Sequence, residues 1–235
     1  MDVLTKGLEI TEKAKNYNHW IFEVIKPYLG KRILEIGSGL GTFTEMLSAK
    51  NFVIASEVDT QYLVILKEKF KNKENVLVTK MDALKVSQLK EVKNKNIDTI
   101  VAINVLEHIK DDLVALQNFY SILTPGGKII LFVPAFPALL GEWDKKIGHF
   151  RRYTKNDLES KIKSCGFSPV KSSYFNSLGF LGWWFNKAIK KAPTDSIVVI
   201  QARIFDRYII PLLAAIERFL KPPVGQSLIV IGEKS

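Results

Sequence analysis

Cysteine and long apolar runs are scarce in this 235-residue sequence. Cys165 is its only cysteine, which excludes an internal disulfide and predicts a reducing compartment. No run of about 18 apolar residues is present, so the sequence does not predict a membrane-spanning helix. Charges at Asp2, Lys6 and Glu9 interrupt any apolar core of a secretory signal. We therefore predict a cytoplasmic protein whose contact with membranes, if it has one, is peripheral.

Acidic residues are scarce in the second part of the chain. Residues 141–235 contain 16 lysines and arginines against 8 aspartates and glutamates, whereas residues 1–140 contain 18 against 16. The net charge of +10 therefore divides into +2 for the first part and +8 for the second. This excess predicts an anionic partner such as a phosphate, a carboxylate, a membrane surface or nucleic acid, although a solvated basic surface would give the same count.

Three glycines, Gly37, Gly39 and Gly41, follow the first apolar run and precede a helical pattern. Glycine lets a backbone bend sharply and lie against a ligand, so a strand, a glycine-rich turn and a helix start predict a binding site. A dinucleotide site would need a third glycine at the position of Thr42, and a phosphate-binding P-loop would need Gly-Lys-Ser/Thr. The acid Glu35 at the strand end instead favours a ligand with an ammonium group.

Polar residues also stand at the ends of the next three apolar runs. Glu57 ends the second run, Asp82 follows the third and Asn104 follows the fourth. Because the carboxyl ends of parallel strands meet at one edge of a sheet, we expect these residues and Glu35 to line one site. The alternative is a turn that only reverses the chain, with acids that cap helices, but this leaves the position of the second acid unexplained.

The motifs in this order resemble those of the class I S-adenosylmethionine-dependent methyltransferases. The resemblance rests on EIGSGLGTF, ASEVD, MDALK, NVLEHI and LTPGGKIILFVPA, and it covers roughly residues 17 to 173. It implies S-adenosylmethionine as the cofactor, with Glu35 holding its methionine part, Glu57 its ribose and Asp82 its adenine. The implied cofactor-binding residues are Glu35, Gly37, Ser38, Gly39, Gly41, Glu57, Val58, Asp82, Ala83 and Asn104. No metal ligands are predicted.

The fold class implied is α/β: a three-layer αβα doubly wound sheet, mostly parallel, with an antiparallel last strand and the strand order 3-2-1-4-5-7-6. Apolar runs alternate with helical segments between Gly41 and Gly127, as is typical of a parallel sheet. We predict a single methyltransferase domain over residues 1–235, with an N-terminal helical lid at residues 1–30 that roofs the pocket.

A helical insertion is predicted at residues 176–224, between the sixth apolar run and the last. It contains the pair Trp183 and Trp184 and a second helical pattern in which Pro211 is expected to cause a kink. Two basic helices with apolar faces could cap the pocket, pair two copies into a homodimer or lie on a membrane.

Candidate bases occur on the side of the site where the methyl acceptor is expected. Methyl transfer is an in-line displacement, so a base is needed only if the acceptor must lose a proton. His108 follows the fourth apolar run, while Asp144 and His149 lie in the predicted substrate loop at residues 134–153. These three are the candidate catalytic residues, although His108 could equally form only local hydrogen bonds near a helix start.

Aromatic residues and arginines in the same loop predict a substrate wall. Arg151 and Arg152 suit a bidentate grip on a carboxylate or phosphate, and the alternative is that they tie the loop to helix ends or to nearby acids. An aromatic ring of the N-terminal helix could also lie beside the sulfonium. The candidate substrate-binding residues are Tyr17, Asn18, Trp143, Arg151, Arg152 and Tyr153.

The predicted function is methyl transfer from S-adenosylmethionine, at oxygen, to an anionic small molecule, glycan, lipid-linked intermediate or peptide carboxylate. The phrase GHFRRYT and the insertion resemble bacterial and archaeal methyltransferases of surface-glycan or natural-product pathways. One alternative is RNA methylation, but the chain has no Asn-Pro-Pro-Tyr-type tetrad after the fourth run and no catalytic cysteine in a loop. Another is a cofactor-binding interaction protein without catalysis.

Overall fold

Seven strands form one sheet in the computed structural model, which describes residues 12–85, 87–88, 92, 94–182 and 203–235. The strands are β1 (Arg32–Ile36), β2 (Phe52–Glu57), β3 (Val76–Lys80), β4 (Thr99–Ile103), β5 (Lys128–Pro134), β6 (Phe167–Phe175) and β7 (Ser227–Lys234). Their spatial order is β3-β2-β1-β4-β5-β7-β6. β1 to β5 pair in parallel, and β7 runs antiparallel to both of its neighbours. The predicted strand order is confirmed.

Helices cover both faces of the sheet. They are α1 (Lys15–Ile25), α2 (Thr42–Leu47), α3 (Thr60–Phe70), α4 (Asp112–Ile122), α5 (Glu142–Lys146), α6 (Lys155–Ser164) and α7 (Ile210–Glu217). Short 3₁₀ turns occur at Lys26–Tyr28, Leu106–His108 and Pro137–Leu139. Within the described ranges, no helix combines the length and apolar character that crossing a bilayer requires.

Successive residues of each central strand enter different cores, because side chains alternate between the two faces of a sheet. In β1, Leu34 packs in the core that contains Phe119 of α4, whereas Ile33 packs in the core that contains Trp20 and Ile25 of α1. All five of these side chains are buried. Burial on both faces explains why the strands are continuous apolar runs, and it confirms the three-layer arrangement.

Side chains fix the beginnings of two helices. The N–H of Gln61 donates to Asp59 at 2.7 Å before α3, and the N–H of Asp157 donates to the Thr154 hydroxyl at 3.2 Å before α6. Each bond satisfies a backbone donor that the first turn of a helix leaves without an intrahelical partner. α6 therefore begins directly after the loop that carries the candidate substrate residues.

The predicted insertion is described at its two ends. Residues 177–182 are helical, and Trp183 and Trp184 lie outside the described residues. Its last part is a wide π-turn at Phe205–Ile209 followed by α7, with Pro211 in the first turn. Ile210 and Leu213 of α7 are buried in the core shared with α1.

Acidic side chains also tie the insertion to α1 and tie its two described ends to each other. Asp206 accepts the backbone N–H of Tyr17 at 2.9 Å, and Glu217 accepts the backbone N–H of Ser177 at 2.8 Å. The N-terminal helix and the insertion are thus in contact. Their roles as a lid and a cap remain predictions.

Candidate active site

The glycine-rich turn lies between β1 and α2 and packs against the loop that follows β4. Gly37 and Gly41 have φ angles of +70° and +81°, in the left-handed region that favours glycine. A Cβ on Gly37 would stand 2.6 Å from Cγ2 of Val105, and one on Gly41 would stand 2.6 Å from the ring of Phe70. The turn therefore has no room for side chains at these two positions.

Glu35, at the end of β1, holds the start of α2. Its Oε2 accepts hydrogen bonds from the hydroxyls of Ser38, at 2.9 Å, and of Thr44. The side chain is buried. Burial, opposed by these two hydrogen bonds, raises the pKa of Glu35 to about 7. The carboxyl group can therefore carry either a proton or a charge near neutral pH, according to what binds beside it.

Glu57, at the end of β2, organises the backbone on both sides of the cofactor edge. Its Oε2 accepts the N–H of Gly39 at 2.9 Å, and its Oε1 accepts the N–H of Val58 at 2.7 Å and of Asp59 at 3.0 Å. All three donors are backbone N–H groups, which carry no net charge. Val58 is exposed beside it.

The loops after β3 and β4 complete this edge. In the first loop, Asp82 accepts the N–H of Leu84 at 3.0 Å, and Asn118 of α4 donates to the carbonyl of Ala83 at 2.9 Å. In the second, Asn104 is exposed in a left-handed conformation with φ of 53°. All ten predicted cofactor residues thus lie at or just beyond the carboxyl ends of β1 to β4, at one edge of the sheet.

Asp144 is the centre of a buried polar cluster in the loop after β5. Its Oδ1 lies 2.9 Å from Nδ1 of His149 and 2.8 Å from a terminal guanidinium nitrogen of Arg152, and its Oδ2 accepts the N–H of Gly141 at 2.9 Å. Burial alone would raise the pKa of Asp144, but the hydrogen bond with His149 and the charge of Arg152 hold it below its usual value. The carboxylate is therefore ionised, and Nδ1 of His149 carries the hydrogen between them.

Glu107 and His108 face this cluster from the 3₁₀ turn after β4. Oε1 of Glu107 lies 3.9 Å from Nε2 of His149, and the rings of His108 and His149 meet edge to face at 4.5 Å between centroids. The backbone N–H of Phe150 donates to the carbonyl of Glu107 at 2.9 Å. Burial raises the pKa of Glu107 to about 8, while burial and the neighbouring His149 lower that of His108 to about 4.

Both arginines of the loop are paired with acids. Arg152 is buried and forms an ion pair with Asp144. One terminal guanidinium nitrogen of Arg151 lies 2.8 Å from Oδ2 of Asp112, and the other donates to the carbonyl of Lys110 at 2.5 Å. This geometry matches the alternative in which the arginines anchor the loop. The side chain of Arg151 keeps 27% of its surface exposed, so a substrate could still reach it.

Tyr153 lies in the interior beside the same anchor. It forms a bridge with Ala135 at the end of β5, and its hydroxyl donates to Asp112 at 2.9 Å. Its side chain is fully buried, and burial and the adjacent carboxylate raise its pKa. Trp143, in contrast, is half-buried on α5.

Tyr17 and Asn18 belong to α1 and lie on its inner side, not on its exposed side. The Tyr17 ring meets Phe132 and Phe175 edge to face, its hydroxyl lies 3.4 Å from that of Ser227, and burial raises its pKa to about 12. Asn18 is buried. Tyr17 thus lies beside β5 and the start of β7.

Sequence reasoning did not single out Glu107 or Asp112. Asp112 accepts from the Tyr153 hydroxyl and pairs with both Arg151 and Lys161. Glu107 stands next to His108 in the sequence, and this adjacency after a strand was the available signal.

Comparison with known proteins identifies the class of protein. A family model described as "Methyltransferase domain" matches residues 15–172, and the chain belongs to this family. The matched region is a class I S-adenosylmethionine-dependent methyltransferase domain, and S-adenosylmethionine is the cofactor of this class.

The curated relatives are much longer proteins. "Probable polyketide synthase 40" of Dictyostelium discoideum is 26% identical over 207 residues, which cover 78% of this chain and 8% of that protein. The chain thus spans about 8% of the length of this relative.

Solved structures share the fold. A SAM-dependent methyltransferase from Archaeoglobus fulgidus is 18% identical, with a TM-score of 0.59 over 92% of this chain and 94% of that one. A methyltransferase in a complex with the Haloferax volcanii Trm112 methyltransferase activator is 11% identical, with a TM-score of 0.66 over 99% and 98% of the two chains.

The residues present fit the methyl donor. S-adenosylmethionine is a cation that offers hydrogen-bond donors from its ammonium, ribose and adenine groups. The strand ends present acidic acceptors, of which Glu35 and Glu57 receive hydrogen bonds only from neutral groups. The left-handed glycines of the turn leave its backbone uncovered for close approach.

Proposed function

We propose that the chain methylates an oxygen of an anionic small molecule, glycan, lipid-linked intermediate or peptide carboxylate. The observation that carries this proposal is the pair of His149 and Asp144, joined at 2.9 Å beside the turn that follows β4. A carboxylate that holds Nδ1 of an imidazole fixes its tautomer and leaves Nε2 to take a proton. A hydroxyl acceptor needs such a group, whereas a neutral amine or an ionised carboxylate does not need one to attack, so the pair favours a hydroxyl among the acceptors named.

The glycine-rich turn lies close to the pair of His149 and Asp144 in the fold. Gly37 touches Val105, and Glu107 and His108 follow two and three residues later. A Cβ on Gly148 would lie 3.7 Å from Nδ1 of His108, so the loop that carries His149 lies directly over this turn. This supports placing the acceptor between the donor edge of the sheet, formed by the carboxyl ends of β1 to β4, and the two histidines.

The division of work follows from these positions. S-adenosylmethionine supplies the methyl group, whose bond to sulfur breaks as the bond to the acceptor oxygen forms, and the sulfur keeps the electron pair. Glu35 and Glu57 orient the donor. His149, held by Asp144, takes the proton of the acceptor hydroxyl. His108 lines the same space.

An anionic acceptor is supported by the charge of residues 141–235, which is +8. Arg151 and Arg152 are paired with Asp112 and Asp144. The other cations of the loop that could attract the acceptor are two exposed lysines of α5, Lys146 and Lys145, of which Lys145 also pairs with the exposed Glu142 at 3.6 Å. The sequence similarity to polyketide synthases is compatible with an acidic natural product as the acceptor.

The test is transfer of labelled methyl from S-adenosylmethionine into fractionated extracts, with wild-type protein and His149→Gln. We expect label in an acidic small-molecule or glycolipid fraction, and turnover lower by about 10²- to 10⁴-fold in the variant. Donor affinity should be the same in both. His19→Gln is the matched control, because His19 is exposed on α1.

Other outcomes would contradict the proposal. Label that enters an RNase-sensitive fraction would indicate an RNA methyltransferase. Donor binding without transfer to any fraction would indicate a binding protein without catalysis. Full turnover in His149→Gln would remove His149 as the base.

A further inference from the structure

A group of three potential ligands lies beside the proposed acceptor position and is not explained by methyl transfer alone. Glu107, His108 and His149 each offer one ligand atom, and these atoms all lie within 4.8 Å of one another. We propose that the three side chains bind a divalent first-row transition-metal ion. No such site was predicted from the sequence, because the two histidines stand 41 positions apart in the chain.

The first argument is the state of Glu107. Its side chain has no exposed surface, and neither carboxylate oxygen has a hydrogen-bond partner in the described part of the chain. Buried polar groups are almost always paired, because an unpaired one loses its hydration without replacement. A metal ion bound to the carboxylate oxygens of Glu107 would supply the missing partner.

The second argument is the orientation of His149. Its Nδ1 is held by Asp144 at 2.9 Å, so Nε2 is the nitrogen that faces Glu107, at 3.9 Å from Oε1. This distance is too long for a hydrogen bond but leaves both atoms available to a third one. A histidine that ligates a metal commonly donates its other N–H to a carboxylate, which orients the ring and increases its basicity.

The supporting contacts behind Asp144 strengthen this arrangement. Arg152 and the N–H of Gly141 fix the carboxylate that fixes His149. The ring of His108 lies edge to face with that of His149 at 4.5 Å. Two imidazoles and one carboxylate therefore converge from the turn after β4 and the loop after β5.

The donor set indicates which ions would bind. Two nitrogens and one oxygen suit zinc, iron, manganese or cobalt, whereas magnesium and calcium prefer sites made of oxygen. Three protein ligands also leave coordination positions for an acceptor oxygen.

This inference deepens the proposed function and rests on it for its chemical role. An ion that binds the acceptor oxygen lowers the pKa of that hydroxyl, so its proton can leave to solvent before the methyl group is transferred. His149 then serves as a ligand. In the ion-free protein, the same imidazole takes the proton itself.

The experiment measures ion binding to the full chain without any acceptor. Protein stripped with a chelator is titrated with Mn²⁺ by electron paramagnetic resonance and with Zn²⁺ by calorimetry. We expect one ion per chain. We expect affinity about 100-fold lower in Glu107→Gln and His149→Gln, and about 10- to 100-fold lower in Asp144→Asn. His19→Gln should bind as wild type does.

Two controls keep the outcome interpretable. Glu107→Gln replaces a buried carboxyl group with an amide of nearly the same volume, so it should fold, and donor binding checks this. Absence of stoichiometric binding in the wild type, or undiminished binding in both ligand variants, would overturn the metal site. Methyl transfer by the chelated protein would leave the proposed function standing in that case, whereas an ion-loaded protein that methylates no oxygen acceptor would overturn the proposed function alone.

Discussion

The donor edge after β1 and β2 and the loop after β5 both bury carboxylates, but they neutralise them differently. Glu35 and Glu57 accept from hydroxyls and backbone N–H groups, which carry no net charge. Asp144 faces a guanidinium and an imidazole. An acid whose hydrogen bonds come only from neutral groups remains available to a cationic donor, whereas an acid already paired with cationic groups can only position its partners. The difference separates a binding edge from a scaffold that orients His149.

The largest effect should come from removing the centre of that scaffold. We expect Asp144→Ala to lower the free energy of unfolding by about 3–5 kcal/mol, because the buried Arg152 would lose its counter-charge. Chemical denaturation measures this. Glu142→Ala on the same helix is the control, because Glu142 forms only an exposed pair with Lys145 and should cost less than about 0.5 kcal/mol. Equal losses in the two variants would contradict the assignment of Asp144 as a buried anchor.

The donor edge should make the stability of the protein depend on pH through Glu35. The pKa of Glu35 is raised to about 7, so in donor-free protein its contribution to stability is complete below about pH 4.5 and is lost as the pH rises through 7. The loss should reach about 3 kcal/mol. It is measured as the difference between wild type and Glu35→Gln in unfolding free energy from pH 4.5 to 8.

The control for this pH profile is Glu45→Gln, whose carboxylate is exposed on α2. This variant should follow the wild-type profile. The difference in unfolding free energy between wild type and Glu35→Gln could instead stay constant from pH 4.5 to 8. This result would show that Glu35 is charged over that whole range, as Asp144 is, and the two regions would then differ less in how they hold their carboxylates.

The amount that the sequence could predict follows the same division. The donor edge depends on residues close in sequence to strand ends, so the glycines and the acids could be located, and the fold is confirmed. The site residues themselves remain predictions. The partners of Arg151 and Arg152 could not be predicted, because these neighbours bind acids 39 and 8 residues earlier in the chain, Asp112 and Asp144.

Burial explains the remaining differences. Tyr153 reads as an aromatic of a surface loop, yet its backbone pairs with Ala135 and places the ring in the core. The unpaired state of Glu107 depends on the packing of a loop some forty residues later, including Phe150. A sequence pattern contains no measure of either.

A smaller effect should distinguish close packing from backbone strain at the glycine-rich turn. Gly37 and Gly126 have nearly the same φ, +70° and +73°, but only a Cβ on Gly37 would meet another atom, Cγ2 of Val105. Gly37→Ala should therefore cost about 2 kcal/mol more than Gly126→Ala, and it should weaken donor binding, which calorimetry measures. Val105→Ala in the same chain should restore part of both. Equal losses of unfolding free energy in the two variants would show that the Val105 side chain moves to make room for the added methyl group.

The smallest effect on stability is expected for Arg151→Ala. Asp112 would keep Lys161 at 2.7 Å and the Tyr153 hydroxyl at 2.9 Å, so the loss should be under about 1 kcal/mol. If the exposed part of Arg151 also contacts the acceptor, KM for the acceptor should rise while kcat stays the same, because ground-state and transition-state binding are lost together. Lys163→Ala, at an exposed position of α6, controls for loss of one positive charge. Unchanged KM in Arg151→Ala would assign this arginine, like Arg152, to the anchoring of the loop.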